Sequence, residues 1–253
     1  MRKKLIRAAA AVVAGIAAIC GMTFGIKATK AYTIYTANTV KRLLPIYSVD
    51  RSDNKIAISF DCAWGVEHTD EILENLAKYK VKATFFAVQF WVEKYPDYVK
   101  KIADAGLEIG THSKTHPHMS KLSAEGIKAE LSSSKAAIES ACGNEVTLFR
   151  PPFGDYNDRL IKACKELGLY AVQWDVDSLD WKDLSARQIA ARVLGKVKSG
   201  SIILMHNNGL HTAEALPLIF EPLLAQGYEF VTIGELIYKD NYEIRADGTQ
   251  YRV

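Results

Sequence analysis

The strongest constraint on the fold of this chain is a regular alternation of strand-like and helix-like segments that begins at residue 55. Short runs rich in β-branched and aromatic residues are separated by longer segments with apolar residues at helical spacing. The predicted strands span residues 55–60, 82–88, 107–111, 147–150, 170–176, 201–206 and 229–233, and the predicted helices span residues 70–79, 97–105, 123–141, 157–167, 185–198 and 212–226. This alternation predicts an α/β fold with a parallel sheet, wound into a barrel or left open and doubly wound.

The charge distribution argues against a nucleic-acid partner. Arg2, Lys3, Lys4 and Arg7 supply four positive charges, which leaves 28 basic against 29 acidic residues in the rest of the chain. A near-neutral body without a basic patch does not suit a nucleic acid. With hydrophobic residues at 49% and charged residues at 24%, the composition suits a folded domain with a full core.

The N-terminal segment predicts export. Residues 8–26 carry no charge and follow the basic stub, and nineteen helical residues at about 1.5 Å each approach the roughly 30 Å hydrocarbon thickness of a bilayer. Residues 1–31 are therefore read as a cytoplasmic stub plus a signal anchor or a cleaved signal peptide. Residues 32–54 are expected to form a tether, residues 55–235 the folded domain, and residues 236–253 a polar C-terminal tail.

Ionisable side chains gather where the predicted strands end. They are Asp61 after the first strand, His112 after the third, Arg150 at the end of the fourth, Asp175 and Asp177 around the end of the fifth, and His206 at the end of the sixth. Because the carboxyl ends of parallel strands share one face, these groups are expected to lie together where α/β folds build their active sites. His112 and His116 lie in one tight turn, where two imidazoles could bind one divalent metal.

Five motifs in this order resemble those of the polysaccharide deacetylases with a NodB-homology domain, a group similar to carbohydrate esterase family 4. They are Phe60-Asp61, His112-Ser113-x-x-His116, Arg150-Pro151-Pro152-Phe153, Asp177-x-x-Asp180-Trp181 and Leu204-x-His206. The resemblance implies a deformed seven-stranded (β/α) barrel and removal of N-acetyl groups from cell-wall or related glycans. Residues 45–50 and 60–65 are similar to the sporulation-associated branch of this family.

The resemblance also implies roles for the acid and base groups. Asp61 would be the catalytic base, and Arg150 would orient it and keep it ionised, since a nearby cation favours the carboxylate. His206 would be the catalytic acid, with its pKa raised by the charge of Asp180. His112 and His116 would hold a metal that polarises the carbonyl group.

Three further residues are expected to contact the substrate. Phe153 stands where the family usually has tyrosine, and its backbone N–H would still donate to the oxyanion. Trp181 and Leu204 would line an apolar pocket for the acetyl methyl group. Together these features predict an exported, metal-dependent glycan deacetylase that is a monomer.

The chain departs from the family at Cys62, where a second aspartate normally supplies the third metal ligand. Two imidazoles and a thiolate suit zinc, with cobalt and manganese as alternatives, and Glu67 or His68 could instead fold back to the metal. Successive strand residues point to opposite sides, so Asp61 and Cys62 cannot both face the site without a local twist, which favours a loop ligand. Weak or absent metal binding would leave a non-catalytic or weakly active glycan-binding protein on the same fold.

Overall fold

The computed structural model describes residues 42–253. The basic stub, the apolar run at residues 8–26 and the first part of the expected tether lie outside the described residues. Within residues 42–253, no helix is long and apolar enough to cross a membrane.

Seven parallel strands build the central sheet. The strands of the described chain are β1 (Ser48–Val49), β2 (Lys55–Cys62), β3 (Ala83–Ala87), β4 (Glu108–Thr111), β5 (Leu148–Phe149), β6 (Tyr170–Ala171), β7 (Val176–Asp177), β8 (Ile202–His206), β9 (Glu229–Phe230), β10 (Tyr242–Ile244) and β11 (Thr249–Arg252). The central order is β6-β5-β4-β3-β2-β8-β7, and β9 pairs with the start of β2. This half-barrel of seven parallel strands confirms the predicted α/β architecture.

Helices follow most of these strands, and all but the last, short helix pack on the outer side of the sheet. They are α1 (Thr69–Tyr79), α2 (Gln89–Lys94), α3 (Pro96–Asp104), α4 (Ala124–Cys142), α5 (Asp158–Glu166), α6 (Ala186–Leu194), α7 (Thr212–Ala225) and α8 (Ile233–Leu236). Short 3-10 turns lie at Met119–Lys121, Pro152–Gly154 and Asp180–Lys182. The N-caps explain several helix starts: the Ser123 side chain accepts from the backbone N–H of Gly126, and that of Asn157 from the N–H of Leu160.

The two faces of β2 have different neighbours, and this difference positions the site. Phe60 and Cys62 belong to the large core cluster beneath the helices, whereas Ala57 belongs to a smaller cluster on the inner side of the sheet. Because side chains alternate along a strand, Asp61 lies on the inner face with Ala57. The carboxyl end of β2 therefore presents Asp61 inward and Cys62 outward.

The predicted tether is wrong for its described part. Residues 46–49 lie across the gap between β6 and the start of β8: Ile46 bridges to Val172, and Ser48 bridges to Ser201. Ile46 and Val49 are both buried. Their apolar side chains fill the inner cluster, so this segment is part of the barrel wall.

The predicted C-terminal tail is also wrong, because residues 242–252 form the β10–β11 hairpin. With β1, this hairpin makes a second sheet of order β1-β11-β10. The fully buried Gln250 side chain fixes it, since Gln250 accepts from the Tyr238 backbone N–H at 2.9 Å and donates to the Tyr238 carbonyl at 2.8 Å. A buried polar side chain is tolerated when its donor and its acceptor are both hydrogen-bonded, as those of Gln250 are.

Candidate active site

Asp61 and Arg150 form a buried ion pair at the carboxyl end of the sheet. The Arg150 Nη1 donates to Asp61 Oδ1 at 2.8 Å, and its Nη2 donates to the Gln173 carbonyl at 3.1 Å. Burial alone raises the pKa of Asp61, but the charges of Arg150 and His112 outweigh it and hold this pKa below its ordinary value. Asp61 is therefore ionised at neutral pH, as a catalytic base must be.

His206 and Asp180 form a second pair on the neighbouring strand. The His206 Nδ1 and Asp180 Oδ1 are 2.7 Å apart, and the same carboxylate accepts from the His206 backbone N–H at 2.7 Å. The Thr212 hydroxyl also donates to it, at 2.7 Å. Burial lowers the pKa of His206, but the hydrogen bond and charge of Asp180 outweigh burial and raise it. The imidazole is thus favoured in its protonated, proton-donating form.

Left-handed backbone brings His112 and His116 together after β4. Ser113 has φ 74° and His116 has φ 57°, which folds the chain back within four residues. The Ser113 hydroxyl accepts from the His116 backbone N–H at 3.0 Å, and the two ring centroids lie 4.9 Å apart. The turn therefore places both imidazoles on one side, as their spacing predicted.

The two imidazoles fit a divalent metal. The His112 Nδ1 lies 2.8 Å from the Arg150 carbonyl oxygen, which can only accept, so Nδ1 carries the proton and Nε2 the lone pair. Metal-binding histidines usually make this second contact. Burial lowers the pKa of His112, and burial and the charge of His112 lower that of His116 to about 4. Both rings are therefore neutral near pH 7, the form that binds a metal.

A further contact favours a cation beside His112. Its Nε2 faces Oδ2 of Asp61 at 3.5 Å. With Nδ1 protonated, both of these atoms are acceptors, and two acceptors at this distance are stabilised by a shared cation.

None of the three expected third ligands joins this pair of imidazoles. The Cys62 thiol is buried in the outer core, where burial raises its pKa, and it donates a long hydrogen bond to the Phe60 carbonyl at 3.8 Å. Glu67 is exposed, and His68 is the residue before α1. Across residues 42–253, no group of three or more His, Cys, Asp and Glu side chains is placed to hold a metal. Two protein donors are one fewer than catalytic zinc sites usually have.

The expected substrate residues lie beside the groups described above or on the same elements. Phe153 is held at φ 60° in the Pro152–Gly154 turn, with an exposed ring 4.5 Å from that of His116. Trp181 is exposed in the turn that carries Asp180. Leu204 is buried and lies two residues before His206 on the same face of β8, in neither core cluster. Phe153 thus lies beside His116, Trp181 follows Asp180 in the same turn, and Leu204 shares a strand face with His206.

Two positioning residues were missed by the sequence analysis. Asn207 is fully buried, and its Nδ2 donates to the Gly65 carbonyl at 2.9 Å and the Thr69 hydroxyl at 3.1 Å, which ties the loop after Asp61 to β8. Gln173 is also buried and donates through Nε2 to the Gly154 carbonyl at 3.0 Å. A single amide side chain belongs to no motif with a recognisable spacing. The only signal in the sequence for a role of Asn207 was its position next to His206.

Comparison with known proteins agrees with this geometry. Residues 48–172 match the polysaccharide deacetylase family. The chain is 36% identical over 196 residues to a peptidoglycan-N-acetylglucosamine deacetylase of Bacillus cereus, which covers 76% of this chain and 92% of that protein. It is also 36% identical over 193 residues to the uncharacterized protein YlxY of Bacillus subtilis, over 76% of this chain. The chain spans 60% of the length of YlxY and 45% of a related Listeria monocytogenes deacetylase, PgdA.

Solved structures show the same fold. A CE4 family pseudoenzyme from Bacillus anthracis superposes with a TM-score of 0.75 at 35% identity, covering 83% of this chain and 70% of that one. A mutant of that pseudoenzyme, described as having restored enzymatic activity, has the same TM-score at 36% identity, covering 83% of this chain and 72% of that one. The matching family, the strand-end motifs and the level of identity together show that this chain belongs to the polysaccharide deacetylase family.

Proposed function

We propose that this chain hydrolyses N-acetyl groups on a cell-wall glycan, peptidoglycan or a chitin-like polymer. The observation that carries the proposal is the adjacent pair Asp61 and His206, each held by a buried partner that favours the protonation state its role requires. The names of the relatives support a peptidoglycan substrate. The apolar run at residues 8–26 supports a setting outside the cytoplasmic membrane, anchored or secreted, and the sporulation setting stays a prediction.

The residues of this chain supply the proton transfers. Asp61 accepts a proton from the attacking water while Arg150 keeps the carboxylate oriented and ionised. The Phe153 backbone N–H donates to the developing oxyanion, the role that family membership implies for it. His206 then gives its proton to the leaving amine nitrogen, while Asp180 holds the ring. General acid–base catalysis of this kind contributes about 10²- to 10⁴-fold to the rate.

His112 and His116 would hold the divalent metal, with zinc favoured by two nitrogen donors and cobalt or manganese as alternatives. When bound, the ion supplies Lewis-acid polarisation of the acetamide carbonyl.

Acetate release tests this function directly. The purified full-length chain is incubated with chitooligosaccharides and with peptidoglycan fragments, with zinc, cobalt or manganese supplied, and free acetate is measured. Asp61→Asn should lower the rate by about 10²- to 10⁴-fold, whereas Asp183→Asn, at an exposed position in the loop after Trp181, should not change it. Absence of acetate from every substrate and metal would contradict the proposal.

A non-catalytic glycan-binding role is the second candidate, and the outward position of Cys62 favours it. Without a third protein ligand at that position, metal affinity is expected to be weak. A solved relative named as a pseudoenzyme supports this reading. Glycan binding that persists in an Asp61→Ala, His206→Ala double variant, together with no turnover by the unchanged chain, would favour it over catalysis.

A further inference from the structure

The turn that carries His112 and His116 is held from outside by one carboxylate. Oε2 of Glu130, on α4, accepts from the backbone N–H groups of Lys114 and Thr115 at 2.9 Å and 2.8 Å. Its Oε1 accepts from the Thr115 hydroxyl at 2.7 Å. Two successive backbone N–H groups that converge on one oxygen form a binding site for an anion. Hydrogen bonds to a carboxylate are stronger than those to a neutral acceptor, so Glu130 clamps the middle of the turn.

The same helix also anchors the start of the turn. Ser134 lies four residues after Glu130, and its hydroxyl is hydrogen-bonded to that of Thr111, the last residue of β4. The Thr111 hydroxyl accepts from the backbone N–H of Ser113 at 3.1 Å. The side chains of Thr111, Ser113 and Ser134 are fully buried. Because residues i and i+4 of a helix share one face, a single stripe of α4 fixes both the start and the middle of the turn.

The turn depends on these contacts because its own backbone is strained. Ser113 and His116 both have left-handed φ values, which are uncommon for residues other than glycine. Such conformations persist where the surrounding structure enforces them. Lys114 and Thr115 lie between these two residues, and Glu130 accepts from the backbone N–H of each. Removal of the Glu130 side chain therefore releases the segment whose shape sets the 4.9 Å distance between the centroids of the two imidazoles.

The relative position of the two imidazoles matters because the chain offers few metal donors. A bound zinc ion must lie about 2.0–2.1 Å from a nitrogen of each ring. In the part of the chain that the structure describes, no group of three or more His, Cys, Asp and Glu side chains is placed to hold a metal. With only two protein donors, affinity depends strongly on holding both rings in position before the ion arrives, since preorganisation lowers the cost of binding.

We propose that Glu130 is a positioning residue for the metal site and holds the turn in its metal-binding shape through these three hydrogen bonds. The inference rests on the metal-binding part of the proposed function and does not depend on which glycan is the substrate. Glu130 acts through the backbone N–H groups that it binds, and it contacts neither the ion nor the reacting group. Its effect is therefore on the metal affinity of the folded chain.

Calorimetric titration with zinc tests this role without requiring turnover. Glu130→Ala in the full-length chain should lower zinc affinity by about tenfold or more, the scale expected when a residue that orients a metal ligand is removed. Glu130→Gln should restore most of the affinity, because its amide oxygen can accept both backbone N–H bonds and the Thr115 hydroxyl can accept from its amide nitrogen. Glu145→Ala, at an exposed position in the loop after α4, is the matched control and should have no effect. His112→Ala measures the zinc that binds elsewhere on the chain.

The visible absorption of bound cobalt supplies a second readout, because it reports the geometry of the ligands around the ion. Glu130→Ala should change this spectrum toward that of His112→Ala, whereas Glu145→Ala should leave it unchanged. A merely structural role of Glu130 would lower the free energy of unfolding but leave the zinc affinity and the cobalt spectrum of the folded chain as they are. Circular dichroism and urea denaturation show whether each variant is folded and how stable it is.

The outcomes separate this inference from the proposed function. Unchanged zinc affinity in a folded Glu130→Ala chain, a loss in Glu130→Gln as large as in Glu130→Ala, or no zinc binding by the unchanged chain would overturn the role of Glu130. If Glu130→Ala does not fold, Glu130→Asp, whose carboxylate is one methylene shorter, decides instead: it should lose about threefold or more in affinity, and an unchanged affinity would overturn the role. Acetate release by the unchanged chain tests the deacetylase function separately. A chain that releases no acetate but loses zinc affinity in Glu130→Ala would still confirm the positioning role.

Discussion

Asp61 and His206 are direct register partners on the adjacent parallel strands β2 and β8. Each has its own buried partner: Arg150 lowers the pKa of Asp61, and Asp180 raises that of His206. Two neighbouring titratable groups whose surroundings push their pKa values apart are the usual arrangement of a catalytic base and a catalytic acid. The sheet register, rather than a flexible loop, therefore sets the distance between them.

Removal of the Asp180 charge should shift the pH dependence of the reaction. His206 must be protonated to act as the acid, so activity falls as the pH rises through its pKa. Asp180→Asn removes the group that raises this pKa, and the basic limb of kcat/KM for acetate release should move to lower pH. NMR titration of the His206 ring provides a readout independent of turnover. Asp183→Asn is the control, and an unmoved His206 titration in Asp180→Asn would contradict the assignment.

Cys62→Ala should leave zinc affinity nearly unchanged, because the thiol points into the outer core. It should lower the free energy of unfolding by on the order of 1 kcal/mol through lost packing. Zinc titration and urea denaturation measure the two effects, with Cys164→Ala, a second buried thiol on α5, as the control. Loss of most of the zinc affinity in Cys62→Ala alone would show that Cys62 is a ligand after all.

The same titration applied to Glu67→Ala and His68→Ala tests the loop ligands. Neither residue forms a group of three with the two imidazoles in the described chain. The zinc affinity of the unchanged chain should therefore be modest, and both variants should have the same affinity. His112→Ala, in contrast, should abolish it. Loss of zinc binding in Glu67→Ala or His68→Ala would identify that residue as a third ligand.

Asn207→Ala should destabilise the protein by about 1–3 kcal/mol, because it leaves the buried hydroxyl of Thr69 without its donor and opens a small cavity. Thermal or urea denaturation measures this effect. Asn144→Ala, at an exposed position after α4, should change stability by less than about 0.5 kcal/mol. Equal stability of the two variants would show that Asn207 does not hold the loop.

Gln250→Ala should also cost about 1–3 kcal/mol, since it removes both hydrogen bonds to the Tyr238 backbone inside the β1-β11-β10 sheet. Urea denaturation is the measurement, and Gln226→Ala, at the exposed end of α7, is the control. An unchanged unfolding transition in Gln250→Ala would mean that these two hydrogen bonds add nothing to stability.

The central sheet could be predicted because most of its strands carry apolar residues and have a helix after them. The sequence also predicted that the Asp61 and Cys62 side chains lie on opposite faces of the sheet, because side chains alternate along a strand. Strand 170–176 was predicted as one element but is divided into β6 and β7, because residues 172–175 pair with other segments: Val172 bridges to Ile46, and Asp175 accepts from the Ile202 backbone N–H at 2.8 Å.

Other features of the fold could not be predicted from the residues that form them. Helix α2 follows β3 directly, without a side-chain N-cap, in a stretch predicted as a connection. The β10–β11 hairpin is polar along most of its length and is fixed by Gln250, whose partner lies twelve residues away. Neither His116 nor Phe153 is the glycine that a left-handed position favours, so the sequence predicted the motifs but not the ring geometry that they create.

The position of residues 46–49 in the barrel wall has a consequence for the order of folding. Ser48 contacts Thr249, 201 residues later, and Ile46 bridges to Val172. A chain that emerges from a ribosome or a translocation pore with its N-terminus first exposes this segment early and can complete its pairing only when its last strand has followed. Contacts between such distant residues form slowly because the intervening chain must first be ordered. Ile46 can pair once Val172 has emerged, but the edge of β1 that receives β11 would stay exposed to chaperones and proteases until synthesis reaches that strand.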